Sequence, residues 1–453
     1  MIWDEPSVKE QPILVVGAGR SGVSICRVLT RMGAKVTLTD HQPHPVDPFI
    51  FEELSQKGVR LELGGHSMDT FLQAKRIILS PGVPPTLSPL LRAKEKGIPV
   101  CGEVEFASSF LNGQWVAVTG TNGKSTTTSL IGELLKRRWG SVFVGGNLGK
   151  PLSEAVLEKR MWDALVVELS SFQLETIQQF HPFIGVLLNV TPDHMDRYSH
   201  FKDYFSAKGR LFKNMNSGDW VVANGDDPVV ADLAGRTPCS VAYFHFDQIP
   251  SRGVYCQGGE IFSTLHGESR KILNTKDLQL LGKHNFQNVM ASIAVGEILN
   301  CPEEEIRQAM IQFRGLPHRM ERVREINGIC FINDSKGTNM GALKISLESF
   351  SSPVILIAGG KDKGGEFDSV NPLVGEKVRV CFLIGEAAPR MEKAWGKQTE
   401  CQRVSDLGDA VKRAWKTARP GDVILFSPGC SSFDMFRDFE ERGQVFKEWV
   451  WKL

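Results

Sequence analysis

No stretch of the 453-residue chain reaches the roughly 18 apolar residues that a bilayer-spanning helix needs. Met1-Ile2-Trp3-Asp4-Glu5 lacks the basic and apolar regions of a secretory leader. Neither sign of charge dominates. The formal net charge is +1, which provides no broad basic field for nucleic acid or anionic lipid. Nine cysteines stand singly, with no CxxC pair and no His-rich tract at zinc spacing. They read as reduced, mostly buried thiols. Solenoid-period repeats and low-complexity tracts are also missing. What remains is an ordinary globular balance, 42% hydrophobic and 23% charged, in a chain long enough for two to four domains. The expectation is a cytosolic protein.

The sequence that is present repeats one order: short apolar strand, glycine turn, helix. Pro12–Val16 leads into a glycine turn and a periodic stretch from Ser21 to Met32; Lys35–Thr39 is a second strand ending at Asp40. Arg76–Leu79 and Ile98–Cys101 close this first segment. A second begins at Gln114–Thr119 and continues through Ser141–Val144, Ala164–Glu168 and Ile184–Leu188. Residues 236–282 suggest a small antiparallel addition, and a helix follows from Lys283 to about Leu299. A third segment carries strands at Cys330–Ile332, Val354–Ile357, Val380–Ile384 and Val423–Phe426. Continuous apolar strands alternating with helices predict parallel sheets covered on both faces.

Gly17-Ala18-Gly19-Arg20-Ser21-Gly22 is a GxGxxG between strand and helix, where a tight turn brings a phosphate close to free helix N–H groups. With Asp40 ending the next strand, the motif alone supports a nicotinamide-dependent dehydrogenase, a structural turn, or a site for another diphosphate. The second loop, Gly120-Thr121-Asn122-Gly123-Lys124-Ser125-Thr126, also links strand to helix. Its amides suit phosphate oxygens, Lys124 suits β/γ charge, and Ser125 or Thr126 suits Mg²⁺. Val118 stands where the common GxxxxGK[ST] loop has glycine, so this loop is a distinct variant.

That variant resembles the ATP loop of the Mur ligases, which build the peptide stem of peptidoglycan. Glu168–Glu175, Asn189–Tyr198, Leu316–Arg319, Asn333–Asn339, Gly359–Gly364 and Ser427–Asp434 are similar to the family's D-glutamate-adding branch, in the same order along the chain. Asn122 separates it from the alanine-adding branch and Ser125 from folylpolyglutamate synthases; the Asn-Pro-Arg motif of the diaminopimelate-adding branch is missing.

The resemblance implies three α/β domains: a Rossmann-like UDP-substrate domain (1–102), a P-loop-type ATP domain (103–314) and a Rossmann-like glutamate domain (315–453). It implies a monomeric enzyme of the bacterial cytoplasm that joins D-glutamate to UDP-N-acetylmuramoyl-L-alanine through an acyl phosphate. Two Mg²⁺ ions would accompany ATP, and CO₂ would enter as a carbamate on Lys208. Catalytic roles fall on Lys124, Glu168, His194 and Lys208, with Ser125, Glu168, His194 and carbamylated Lys208 toward metal. Asn288, Arg319 and Asp334 join Gly120–Thr126 on the nucleotide. Gly19, Arg20, Ser21, Gly82 and Asn147 face the UDP substrate, and Lys336, Thr338, Lys363, Ser432 and Phe439 face glutamate. Taken singly, a helix cap, a hydrogen-bonded turn histidine and a solvated lysine remain open for Glu168, His194 and Lys208. A further alternative is a module that binds ATP without turnover. Asp40-His41-Gln42 departs from the family's Asp-Thr-Arg run near the uracil.

Overall fold

The computed structural model describes residues 5–43, 48–194, 197–280, 282–362 and 364–453. Three sheets carry the chain, each fed by apolar strands that end in polar or glycine-rich turns. The first holds β1 (Pro12–Val16), β2 (Lys35–Asp40), β3 (Arg60–Leu63), β4 (Arg76–Leu79) and β5 (Val100–Gly102), all parallel, in the order β3-β2-β1-β4-β5. Its central strands are buried on both faces, as unbroken apolar runs require. β5 starts two residues later than the sequence suggested, because Pro99 has no N–H to give a ladder.

The second sheet comprises β6 (Gln114–Thr119), β7 (Val142–Gly146), β8 (Ala164–Glu168), β9 (Ile184–Leu187), β10 (Trp220–Asn224), β11 (Ser240–Phe246), β12 (Gly253–Gln257), β13 (Glu260–Ser263) and β14 (Arg270–Asn274). Its order is β14-β13-β12-β11-β10-β9-β6-β8-β7. The antiparallel addition is smaller than expected. β11 runs parallel to β10, and only the β12-β13-β14 end is antiparallel. The helix Lys283–Ile298 lies where expected.

The third sheet takes β15 (Glu321–Ile326), β16 (Ile329–Asn333), β17 (Val354–Gly359), β18 (Val378–Ile384), β19 (Glu400–Arg403) and β20 (Val423–Phe426) in the order β15-β16-β20-β17-β18-β19. All pairs are parallel except β15 with β16. The strands β3, β10, β15 and β19 were absent from the sequence reading. Three of them are half-exposed edge strands, whose mixed composition carries little apolar signal.

Residues 1–275 and 287–310 form one compact unit holding the first two sheets; 276–286 and 311–453 form another around the third sheet. Within the first unit, the two sheets are tied by Glu103, whose Oε1 accepts the Ser153 amide at 2.6 Å, and by Ser153 Oγ on Ser24 Oγ at 2.8 Å. No helix among the described residues is long and apolar enough to cross a membrane. All nine cysteines are free thiols, six of them buried.

Candidate active site

In the first unit the chemistry gathers at the carboxyl ends of the parallel strands, where such sheets leave a crevice. β1 ends in Gly17, whose φ of +97° places it in the left-handed region. A Cβ on Gly22 would sit 1.9 Å from the Gly17 carbonyl oxygen, so only glycine lets the helix Arg20–Arg31 start this close to the turn. Ser80 Oγ donates to the Gly17 carbonyl at 2.8 Å. Asp40 locks the turn from the other side, its Oδ2 accepting the Ala18 amide at 2.6 Å and its Oδ1 the Gln42 amide at 2.8 Å. Its carboxylate thus braces backbone, in place of the ribose contact that a dehydrogenase reading requires. Above the turn opens a cavity of about 580 Å³. Gly19, Arg20, Ser21, Gly82 and Asn147, the five residues assigned to the UDP substrate, all line it.

β6 delivers the second loop to the helix Lys124–Arg138, with Gly123 at φ +84° and packed on Asn288. Asn189, which the sequence reading left without a role, holds this loop. Its Oδ1 accepts the amides of Thr121 at 3.1 Å and Asn122 at 2.7 Å, and its Nδ2 donates to the Asn122 carbonyl. Lys124 Nζ folds back to donate to the carbonyls of Gly120 and Thr121 at 3.0 and 2.8 Å. Ser125 and Thr126 are buried in the first helical turn. Asn288 is also buried and accepts from Thr127 Oγ1 at 3.2 Å, so it supports the loop from beneath.

Glu168 ends β8 beside this loop and is 2% exposed. Its Oε1 accepts from Asn147 Nδ2 at 2.7 Å, while Oε2 is buried with no hydrogen-bond partner among the described residues. A buried, half-satisfied carboxylate beside a phosphate loop suits a cation. Lys208, also 2% exposed, donates to the Gly120 carbonyl at 2.7 Å and lies over the Tyr204 ring. Burial, reinforced by the nearby Lys124 charge, holds its pKa well below the ordinary lysine value. Tyr204 in turn meets Thr121 Oγ1 at 3.1 Å and packs near His194, whose φ is +55°. Tyr204 therefore links His194, Lys208 and the loop, a role with no motif signal. Among the described residues, no three His, Cys, Asp or Glu side chains converge as a ready-made metal cage.

The second unit assembles its polar residues around the ends of β16 and β20. Asp334 is buried and fully engaged: Oδ1 accepts the Met320 amide at 3.2 Å, and Oδ2 accepts Ser346 Oγ at 2.7 Å and Ser427 Oγ at 2.9 Å. Burial pushes its pKa up to about 6, and Arg319 nearby opposes the shift. Arg442, missed in the sequence reading, is 0% exposed. It donates to Ser335 Oγ, the Ser335 carbonyl and the Cys430 carbonyl, bracing two loops against each other. Its isolated position in a helix gave no cue to this role. The brace holds Lys336, whose ammonium sits 3.8 Å from the Phe439 ring centre. The Gly429 amide donates to the Gly337 carbonyl, which brings the buried Ser432 and its loop beside Lys336 and Thr338. Lys363 lies outside the described residues.

Comparisons with known proteins agree with this layout. Residues 11–102 match the Mur ligase MurD-like N-terminal domain, 118–296 the Mur ligase middle domain, and 318–430 the glutamate ligase domain. The UDP-N-acetylmuramoylalanine–D-glutamate ligase of Geotalea uraniireducens is 46% identical, over 97% of each chain. The enzyme of the same name from Thermoanaerobacter pseudethanolicus is 39% identical, over 98% of this chain and 99% of its own. Among solved structures, the UDP-N-acetylmuramate–alanine ligase of Thermotoga maritima superposes with a TM-score of 0.60 at 19% identity, over 98% and 99% of the two chains. At that identity the likeness speaks for the fold.

Proposed function

The chain belongs to the Mur ligase family, and from that premise we propose that it joins D-glutamate to UDP-N-acetylmuramoyl-L-alanine at the expense of ATP. It is an ATP-dependent, amide-forming ligase of peptidoglycan precursor synthesis. The observation that carries the site assignment is Asn147. This side chain lines the substrate cavity and hydrogen-bonds the Glu168 carboxylate beside the triphosphate loop, so acid and nucleotide have neighbouring seats.

A free carboxylate is a poor electrophile, so the alanyl carboxylate first attacks the γ-phosphorus and the bond to ADP breaks. The amine of D-glutamate then attacks the acyl carbon, phosphate leaves, and the new amide nitrogen gives up its proton. In this reading Gly120–Thr126 cradle the triphosphate, and Lys124 leaves its carbonyl contacts to neutralise β/γ charge. Asn288 steadies the loop, and Arg319 and Asp334 are proposed as further nucleotide contacts. Mg²⁺, when bound, supplies charge neutralisation on the polyphosphate. Ser125, Glu168 and His194 are its proposed holders, and the unpartnered Glu168 oxygen fits that role. Lys208 is proposed to add CO₂, its uncharged nitrogen forming the N–C bond while one proton leaves; the depressed pKa favours that nucleophile. Lys336, Thr338, Lys363, Ser432 and Phe439 are proposed for glutamate, whose two carboxylates call for cations and hydroxyls.

The test supplies ATP, Mg²⁺, UDP-N-acetylmuramoyl-L-alanine and D-glutamate and measures phosphate together with a product heavier by one glutamyl residue. Lys124→Ala should abolish turnover at an unchanged melting temperature. Full activity in that variant would reject the site.

A further inference from the structure

The cavity of the first unit has a direction. Sheet order β3-β2-β1-β4 lays its lining out in turn: His66 and His41 with Asp40, then the glycine turn, then Ser80 and Pro81. Gln173 packs beside Ser80 and Pro81 and belongs to the segment that follows Glu168, so the β4 side is the side nearest the triphosphate loop. A UDP-linked acid whose diphosphate rests on the glycine turn and whose carboxylate reaches toward Glu168 must place its base at the β2–β3 end.

At that end most polar atoms are already committed. Both Asp40 oxygens accept backbone amides. His41 has Nδ1 3.2 Å from Asp40 Oδ1 and Nε2 3.0 Å from Gln42 Nε2. His66 differs. Its Nδ1 lies 2.9 Å from Thr39 Oγ1, and the single Thr39 hydroxyl proton faces the Gly65 carbonyl at 3.1 Å, with Glu62 Oε1 at 3.5 Å. Both of those groups only accept, so the arrangement that also satisfies the Gly65 carbonyl puts the ring proton on Nδ1. Nε2 then keeps a lone pair and makes no hydrogen bond among the described residues. Burial lowers the ring's pKa from its ordinary value, which favours the neutral form near pH 7. The ring is further held edge-on by Phe71 at 5.9 Å.

Uracil offers a donor at N3, whereas cytosine offers an acceptor there. We infer that His66 is the residue that selects the base, its Nε2 accepting the N3–H of uracil, with Thr39 fixing the tautomer that makes this possible. The inference rests on the UDP-substrate reading of the cavity. An acceptor facing cytosine N3 would leave two lone pairs opposed and unpaired, which is the kind of mismatch that discriminates strongly.

The experiment titrates the full chain with UDP and with CDP by calorimetry. Wild type should prefer UDP by roughly tenfold or more. His66→Phe keeps a ring against Phe71 and leaves Thr39 its Gly65 acceptor; it should weaken UDP and bring the two affinities within about twofold. His66→Gln returns an amide oxygen and should restore part of the preference. Thr39→Val should narrow the preference without touching the ligand. If the preference survives intact in both His66→Phe and Thr39→Val, the inference is wrong while the cavity assignment stands. Equal losses for UDP and CDP would reduce His66 to a structural role and also overturn it. Should wild type bind neither nucleotide, the cavity assignment itself fails.

Discussion

Lys208 and Asp334 are both buried groups whose ordinary charge is disfavoured, and each has a measurable consequence. Lys208→Ala should lower kcat by orders of magnitude, and short carboxylates such as acetate or formate should restore part of it if the lysine's contribution is a carbamate oxygen. Failure of every carboxylate to rescue, in a folded variant, would count against the carbamate. Asp334 has a folded pKa of about 6 against an ordinary 3.8, so the folded chain holds its proton more tightly than the unfolded chain does. The favourable contribution is complete below the unfolded value and is lost as pH rises through the folded one. Wild type should therefore lose up to about 3 kcal/mol relative to Asp334→Asn between pH 4 and 6. Paired melting curves across that range check the sign. In the sequence Asp334 was visible only as a member of a motif and Lys208 only as a position marked by the family resemblance; their burial was not.

At the scale of elements, the decisive feature is how closely a helix can begin behind a strand. Gly22 permits it on the first sheet. Gly22→Ala forces a Cβ to within 1.9 Å of the Gly17 carbonyl, so the helix must shift and the turn must open. UDP affinity should fall at least about tenfold, with a smaller effect on ATP affinity, because the triphosphate loop belongs to the second sheet. Calorimetry with the two nucleotides reads this directly, and equal losses would argue for global destabilisation. Most inner strands of this pattern were legible in the sequence because a strand buried on both faces must be apolar throughout. β15 and β19 were not, since an edge strand is covered on one side and its residues alternate or mix. The strand β10 is a different case: Val221-Val222-Ala223 is an apolar run that pairs on both sides, so its signal is of the kind the other inner strands carry.

For the molecule as a whole, the UDP substrate and glutamate are proposed for different compact units. Hydrogen exchange should show UDP and ATP protecting amides in 12–127 and 164–191, with ATP also protecting those around Arg319 and Asp334. D-glutamate, added with both nucleotide substrates, should add protection within 316–339 and 427–442. Protection by glutamate confined to the first unit would overturn the division. The sequence by itself determined the α/β class, the two glycine loops and the family, because these depend on local periodicity and on short motifs whose residues are neighbours in the chain. Only the tertiary structure decided that Asp40 braces a turn, that Asn189 holds the triphosphate loop and that Arg442 ties two loops together. Each of those roles depends on hydrogen bonds between atoms far apart in sequence, whose partners are chosen by how the strand ends come together in space.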